Sequence, residues 1–393
     1  MLWQLNHSTR KILIIHFALY IGLLSCSNKA KHPRIPNLYI STRILPNKDI
    51  TQYFKSKIIK ISGNDVYKLN GKVRQFKYFN EVLYLIDRQP TQMVSAIDNS
   101  GHIKWQLKPG KDPESFTTLA AFLIDKTKNT ILILDDQTNK IYSYNLNGEY
   151  IKTEPLPKIY FNDAIKTNNN YIIFNVAAYR NNFDERNTKI ALVSFQKDNK
   201  TINPNYLLLN QPMYNENNIP YIDYYDFVRD DKYNLFYHRE FDDTIYTVDH
   251  NRANPYLTIE LPNREVITEI LLNNKSGLVL QELLNKNIPF YSYAIPINGL
   301  LISSYTFNNQ EYFAMVDMKN GDEVFNGNKY ICNGIKFEGR LDYSEGILLN
   351  QMYGGNFNQL QDENIKTNIF SKDYNSKTSE DNEIVYIILI PIF

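Results

Sequence analysis

The sequence predicts an all-β protein built as a β-propeller, and three observations carry that prediction. Tyr (30) and Phe (21) are abundant while Gly (15) and Pro (16) are modest in the 393-residue chain. Aromatic-rich strands with Asn and Gly at the turns favour β structure. A unit also repeats: residues 82–107 (VLYLIDRQPTQMVSAIDNSGHIKWQL) and 131–156 (ILILDDQTNKIYSYNLNGEYIKTEPL) each run apolar strand, Asp, second strand, Gly turn, third strand. Asp87 and Asp135 lie 48 residues apart, and Gly101 and Gly148 lie 47 apart. Finally, Asn-Gly recurs at Asn70-Gly71, Asn147-Gly148, Asn298-Gly299 and Asn320-Gly321. Between alternating apolar runs this pair marks type I′ hairpins, which need positive φ at both central residues. A repeat of roughly 40–50 residues with about four strands matches a propeller blade. A sandwich does not require so regular an offset, and period-2 alternation excludes a helical solenoid.

From the N-terminus, Arg10-Lys11 precede an apolar run, Ile12–Leu24, interrupted by His16. A membrane-spanning helix needs about 20 apolar residues, so this shorter run has the layout of a secretory signal. It ends in Leu23-Leu24-Ser25-Cys26, which resembles the lipobox of bacterial lipoproteins, where cleavage precedes a cysteine that carries lipid. An ordinary signal, or a buried helix that contains a cysteine, is the alternative. Removing residues 1–25 takes away Arg10 and Lys11 and no acid, so the charge moves from +1 to −1. A near-neutral chain has no general attraction for nucleic acid, and no nucleic-acid partner is expected. If Cys26 is lipidated, Cys332 has no disulfide partner.

Residues 27–37 (SNKAKHPRIPN) are polar, basic and proline-containing, and read as a tether. The expected organisation is signal 1–25, lipidated Cys26 and tether 26–37, and one propeller domain 38–393. A more degenerate third copy of the repeat occupies 234–262. Arg264–Asn273 (REVITEILLN) follows Pro262 and carries apolar residues at 266, 267, 270 and 271, which predicts a short inserted helix covering the ring.

Several segments carry a family resemblance. DITQYFKSKIIKISGNDVYKLNGKVRQF (49–76) resembles first outer strands. GKDPESF (110–116) resembles a Gly-x-Gly-Pro-Glu loop in which Asp112 replaces the second glycine. FDDTIYTVDHNRANPYLTIELP (241–262) resembles an Asp-Thr-Ile-Tyr blade, and SEDNEIVYIILI (379–390) a closing strand. In this order they resemble the six-bladed β-propeller lipoproteins of Bacteroidota, related in shape to NHL and TolB propellers. The resemblance covers nearly the whole mature chain and implies six blades of four antiparallel strands, a number that the repeat alone leaves open against seven. It implies an envelope location and no particular ligand.

Catalytic motifs of the common hydrolase, metalloprotease, phosphate-loop and EF-hand kinds are absent. His102, His238 and His250 are too scattered for a local metal site, and neither metal nor cofactor is expected. SAIDNSGHIKW (95–105) resembles a sialidase Asp-box, but Asp98 lies three residues before Gly101 and Trp105 four after it, each interval one too long. The acidic pairs Asp135-Asp136, Asp230-Asp231 and Asp242-Asp243 point to opposite faces of a strand and read as turn residues. MYNENNIPYIDYYDF (213–227) is the densest aromatic and polar patch. Tyr214, Tyr221 and Tyr224 are its candidate ligand-binding residues, because Tyr offers an apolar face with a polar tip. The structural alternative places Tyr224, Tyr225 and Phe227 in the core of the next blade. The function expected is a lipid-anchored outer-membrane binding or scaffold protein for an envelope protein or glycan. The rival is an enzyme acting on a carbohydrate polymer through acids converging at the central channel.

Overall fold

The computed structural model describes residues 37–41, 43–44, 48–61, 65, 69, 75–87, 91–167, 170–176, 190–196, 201–208, 227–229, 234–238, 243–260, 262–273, 276–338, 341–344, 346–353 and 383–392. Three short segments come first: β1 (Asn37–Tyr39), β2 (Lys48–Asp49) and β3 (Phe54–Ile61). Blade I follows as β4 (Gln75–Phe79), β5 (Val82–Asp87), β6 (Met93–Ile97) and β7 (Ile103–Leu107), and blade II as β8 (Ala121–Asp125), β9 (Thr130–Asp135), β10 (Lys140–Asn145) and β11 (Tyr150–Pro155). Blade III contains β12 (Phe161–Lys166), β13 (Tyr171–Val176), β14 (Ile190–Gln196) and β15 (Thr201–Leu208). Blade IV contains β16 (Phe227–Arg229), β17 (Leu235–His238), β18 (Thr244–Val248) and β19 (Ala253–Glu260).

Two helices, α1 (Arg264–Asn273) and α2 (Ser276–Asn285), separate it from blade V: β20 (Phe290–Ile297), β21 (Leu300–Phe307), β22 (Gln310–Asp317) and β23 (Glu323–Gly327). A side hairpin, β24 (Lys329–Cys332) and β25 (Ile335–Glu338), precedes β26 (Leu341–Ser344), β27 (Ile347–Tyr353) and β28 (Ile384–Pro391). These last three form blade VI, and β3 is its fourth strand. Both ends of the chain therefore share one blade. Register runs unbroken from Ile384↔Ile61 to Pro391↔Phe54.

The strands are apolar on both faces because each blade is sandwiched between two others. On β9, Ile131 and Ile133 pack toward blade I, while Leu132 and Leu134 pack toward blade III. Further apolar layers join III to IV, IV through V to VI, and VI back to I. Each fully buried Leu, Ile or Phe contributes about 1.5–3 kcal/mol, so the core is a ring of inter-blade layers. The fold is an all-β propeller of six four-stranded antiparallel blades.

The N-terminal segment straps the outside of this ring. β1 adds a parallel fifth strand to blade IV, pairing Asn37 with Thr258 and Tyr39 with Glu260. Ser41 then binds Glu323 beside blade V, Asn326 Nδ2 donates to the Ser41 carbonyl (2.7 Å), and β2 pairs in parallel with β24. Such covering protects outer edges from other chains.

Turn chemistry departs in part from expectation. Asn298 and Gly299 both have positive φ (49° and 79°), as a type I′ turn needs. At 147–148 and 320–321 only the glycine does, because these loops are longer, while Asn70-Gly71 lies outside the described residues. Asn80-Glu81 and Asn308-Asn309 adopt the doubly positive form without glycine, which asparagine tolerates. Gly101 is required twice over: its φ is +86°, and a Cβ there would lie 1.7 Å from the Lys60 carbonyl of β3.

The helix expected at 264–273 has those bounds, and Arg264 at its start pairs with Asp243 of the ring (3.3 Å). Ile267, Ile270 and Leu271 pack on Val279 and Leu283 of α2, with Ile288 and Phe290, as a separate small core.

Candidate functional site

In each blade the first strand lies at the centre, and among the described residues its inner edge has no strand partner. Backbone groups on such an edge must be met by side chains or water. Side chains meet several of them here. Tyr293 of β20 donates its hydroxyl to the Leu341 carbonyl of β26 (2.6 Å). Tyr343 of β26 donates to the Arg229 carbonyl of β16 (3.1 Å). Arg229 Nη2 donates to the Lys166 carbonyl of β12 (2.5 Å), and Lys166 Nζ pairs with Asp125 Oδ2 at the end of β8 (2.9 Å). Five of the six inner strands are thus cross-braced.

The Asp125–Lys166 pair is buried, with side chains 4% and 8% exposed. Burial pushes the Asp125 carboxyl up, but hydrogen bonds from Thr127, Lys166 and the Lys128 amide, with the Lys166 charge, hold it below the usual carboxylate range. This acid is committed to an ion pair. Among the described residues no three His, Cys, Asp or Glu gather as a metal set would require.

The two faces of the ring differ. First and third strands of every blade run one way and second and fourth the other. One face therefore carries the turns leaving first and third strands, as at 126–129, 298–299 and 146–149. The opposite face carries the turns leaving second strands and all links between blades. The strand ends that bracket 62–74, 108–120, 177–189, 209–226, 261–289, 328–340 and 354–383 all lie on it. Long loops carried on a rigid scaffold are the usual place of recognition.

The repeated aspartates anchor this loop-bearing face. Asp135, fully buried at the end of β9, accepts hydrogen bonds from the Thr117, Thr118, Gln137 and Thr138 amides and the Thr118 hydroxyl. Burial raises its affinity for a proton, but these bonds outweigh that and lower its pKa. Asp87 binds Thr91 in the equivalent place. The 110–116 loop closes on itself through Gly110 N to Phe116 O (3.0 Å), and buried Phe116 pins it to the layer between blades I and II.

Cys26, Tyr214, Tyr221 and Tyr224 lie outside the described residues, as do Asp230, Asp231 and Asp242. Phe227, at the end of the aromatic patch, is core between blades III and IV. His238 is buried in β17, His102 is near Asp98 on an exposed hairpin, and His250 packs against Tyr171; they do not converge among the described residues. Asp243 pairs with Arg264 (3.3 Å). Cys332 is a buried free thiol whose pKa burial pushes up to about 11. Sequence reasoning missed the Lys166–Arg229 bracing. Its only signal was a basic residue closing each of two short apolar strands.

This geometry defines the chain as a six-bladed β-propeller with one loop-rich face. A family model described as a 6-bladed beta-propeller (DUF5128) matches residues 42–337, and the chain belongs to that family. A crystal structure of a Bacteroides fragilis protein described as exported is similar at 16% identity, with a TM-score of 0.63, over 90% of this chain and 99% of that one. A Bacteroides vulgatus member of the DUF4221 family is similar at 13% identity, with a TM-score of 0.51, over 87% and 99%. No curated protein matches.

Proposed function

We propose that the protein is a cell-envelope propeller, anchored by lipid at Cys26, that binds an envelope protein or glycan on its loop-bearing face. The observation that carries this reading is that the strand ends bracketing the long connections all lie on one face of a braced ring. The description of the B. fragilis relative as exported is consistent with an envelope location. Among the described residues no helix is long and apolar enough to cross a membrane. The lipobox-like Leu23–Cys26 would supply an anchor, and the lack of an acidic run after Cys26 leaves the outer membrane's periplasmic side open to it.

Tyr214, Tyr221 and Tyr224 belong in sequence to the connection between β15 and β16, whose flanking strand ends lie on this face, and are the proposed contact residues. Mass spectrometry of the mature N-terminus tests the anchor. Wild type should begin at an acylated Cys26, and Cys26→Ser should carry no lipid. The binding face is tested by screening the protein against envelope extracts and glycans. Replacing the three tyrosines with Ala should abolish capture and leave the melting temperature unchanged. A stability loss on the scale of aromatic truncation, about 3–5 kcal/mol each, would make them core residues and sink the assignment.

A further inference from the structure

Three neighbouring inner strands end in charged residues at the same mouth of the central channel, the one opposite the loop-bearing face. They are Asp125 of β8, Lys166 of β12 and Arg229 of β16, whereas β4, β20 and β26 end in Phe79, Ile297 and Ser344. Lys166 is matched, since its Nζ lies 2.9 Å from Asp125 Oδ2. Asp125 also accepts from the Thr127 hydroxyl (2.7 Å) and the Lys128 amide (3.3 Å). Arg229 is partly buried, and its guanidinium donates from Nη2 to the Lys166 carbonyl. Among the described residues no carboxylate pairs with it. Its backbone carbonyl accepts from the Tyr343 hydroxyl, which in turn accepts from the Gly346 amide.

Bracing a carbonyl requires a single N–H, which a neutral side chain supplies. A guanidinium brings several donors and a charge, and withdrawing that charge from water is costly unless a counter-charge meets it. Asp125, Lys166 and Arg229 together carry a net positive charge, and the remaining N–H groups of Arg229 are left for a ligand. We propose that Arg229 binds an oxyanion, the carboxylate or phosphate group of a small ligand, at this mouth of the channel. The planar guanidinium presents parallel N–H groups that match such a group. The Lys166 carbonyl fixes one edge of the fork, so a ligand meets an oriented donor set and the ordering cost of binding falls. The site lies at the opposite end of the channel from the loop-bearing face and does not depend on an anchor at Cys26.

The test uses the purified protein, dialysed into chloride buffer and treated with methylglyoxal, a small arginine reagent. Labelling of each arginine is followed by mass spectrometry. Inorganic phosphate or acetate, at constant ionic strength, should slow labelling of Arg229 several-fold. Arg252, exposed and paired with Asp249 on the turn after β18, should be labelled equally with and without anion. Protection by phosphate alone makes the ligand group a phosphate, and protection by acetate alone makes it a carboxylate. Equal labelling of Arg229 with and without both anions, or no labelling of it at all, overturns the proposal. Asp230 and Asp231 follow Arg229 in the chain. Protection that appears only after Asp230→Asn and Asp231→Asn assigns the counter-charge to the chain itself, and also overturns the proposal. Arg229→Gln keeps an N–H for the Lys166 carbonyl. In that variant the rise in melting temperature that millimolar phosphate or acetate gives wild type should disappear. A rise of equal size in the variant is general salt stabilisation and sinks the site.

Discussion

Lys166 and Asp125 meet in a buried contact between blades II and III, where neither charge has water to fall back on. Removing one partner of such a pair costs about 3–5 kcal/mol, because the other stays buried and uncompensated. Lys166→Met should therefore lower stability on that scale in urea denaturation at neutral pH. Adding Asp125→Leu should restore most of the loss, since the pair together contributes little over a packed apolar substitute. Acid provides a second measurement. Asp125 and Asp135 both have folded pKa values below their ordinary value. Their contribution is complete above the unfolded carboxylate pKa of about 4. It is lost as pH falls through the lower folded values. The urea midpoint should stay flat from neutral pH down to about 5 and then drop. In Asp135→Asn the drop should be shallower; an unchanged acid limb would mean that the hydrogen bonds to Asp135 do not stabilise the fold.

At the scale of elements, α1 and α2 behave as an appendage. Their apolar residues form a core of their own that touches the ring through Ile288 and Phe290. Leu271→Ala should cost about 2–5 kcal/mol within that small core. The cost should appear as faster amide exchange across Arg264–Asn285, with little change in the global melting temperature. A large global shift would show that the hairpin and the ring unfold as one unit. The bounds of α1 were legible because its apolar positions recur at helical spacing. Those of α2 were not, because Leu278, Val279 and Leu280 are consecutive and hide the period, although only Val279 of the three is buried.

For the whole molecule, closure is the decisive contact. β28 is the third strand of blade VI, held between β27 and β3, and its residues are buried almost throughout. Ile384, Tyr386 and Ile388 also supply the layer that joins blade VI to blade I. Deleting residues 383–393 should strip both β27 and β3 of their partner and leave the ring open. Aggregation and loss of a cooperative melt, followed by light scattering and circular dichroism, are the expected results. A truncated protein that melts like wild type would show that the ring does not depend on this strand.

Residue patterns alone determined the strand character, the blade-length repeat, the first helix and the use of the last apolar run. These rest on local periodicity and turn chemistry, which neighbouring residues impose on one another. The number of blades came from the family resemblance, since every blade repeats the same local pattern whatever the count. Tertiary structure alone decided that Asp135 holds the loop at Thr117 and Thr118, that Lys166 and Arg229 bind the inner strands, and that the N-terminal strap covers blade IV. Each of these joins residues far apart in the chain or in different blades. Such contacts carry no periodic signal, because only strand pairing and the packing of blade on blade bring the partners within hydrogen-bonding distance.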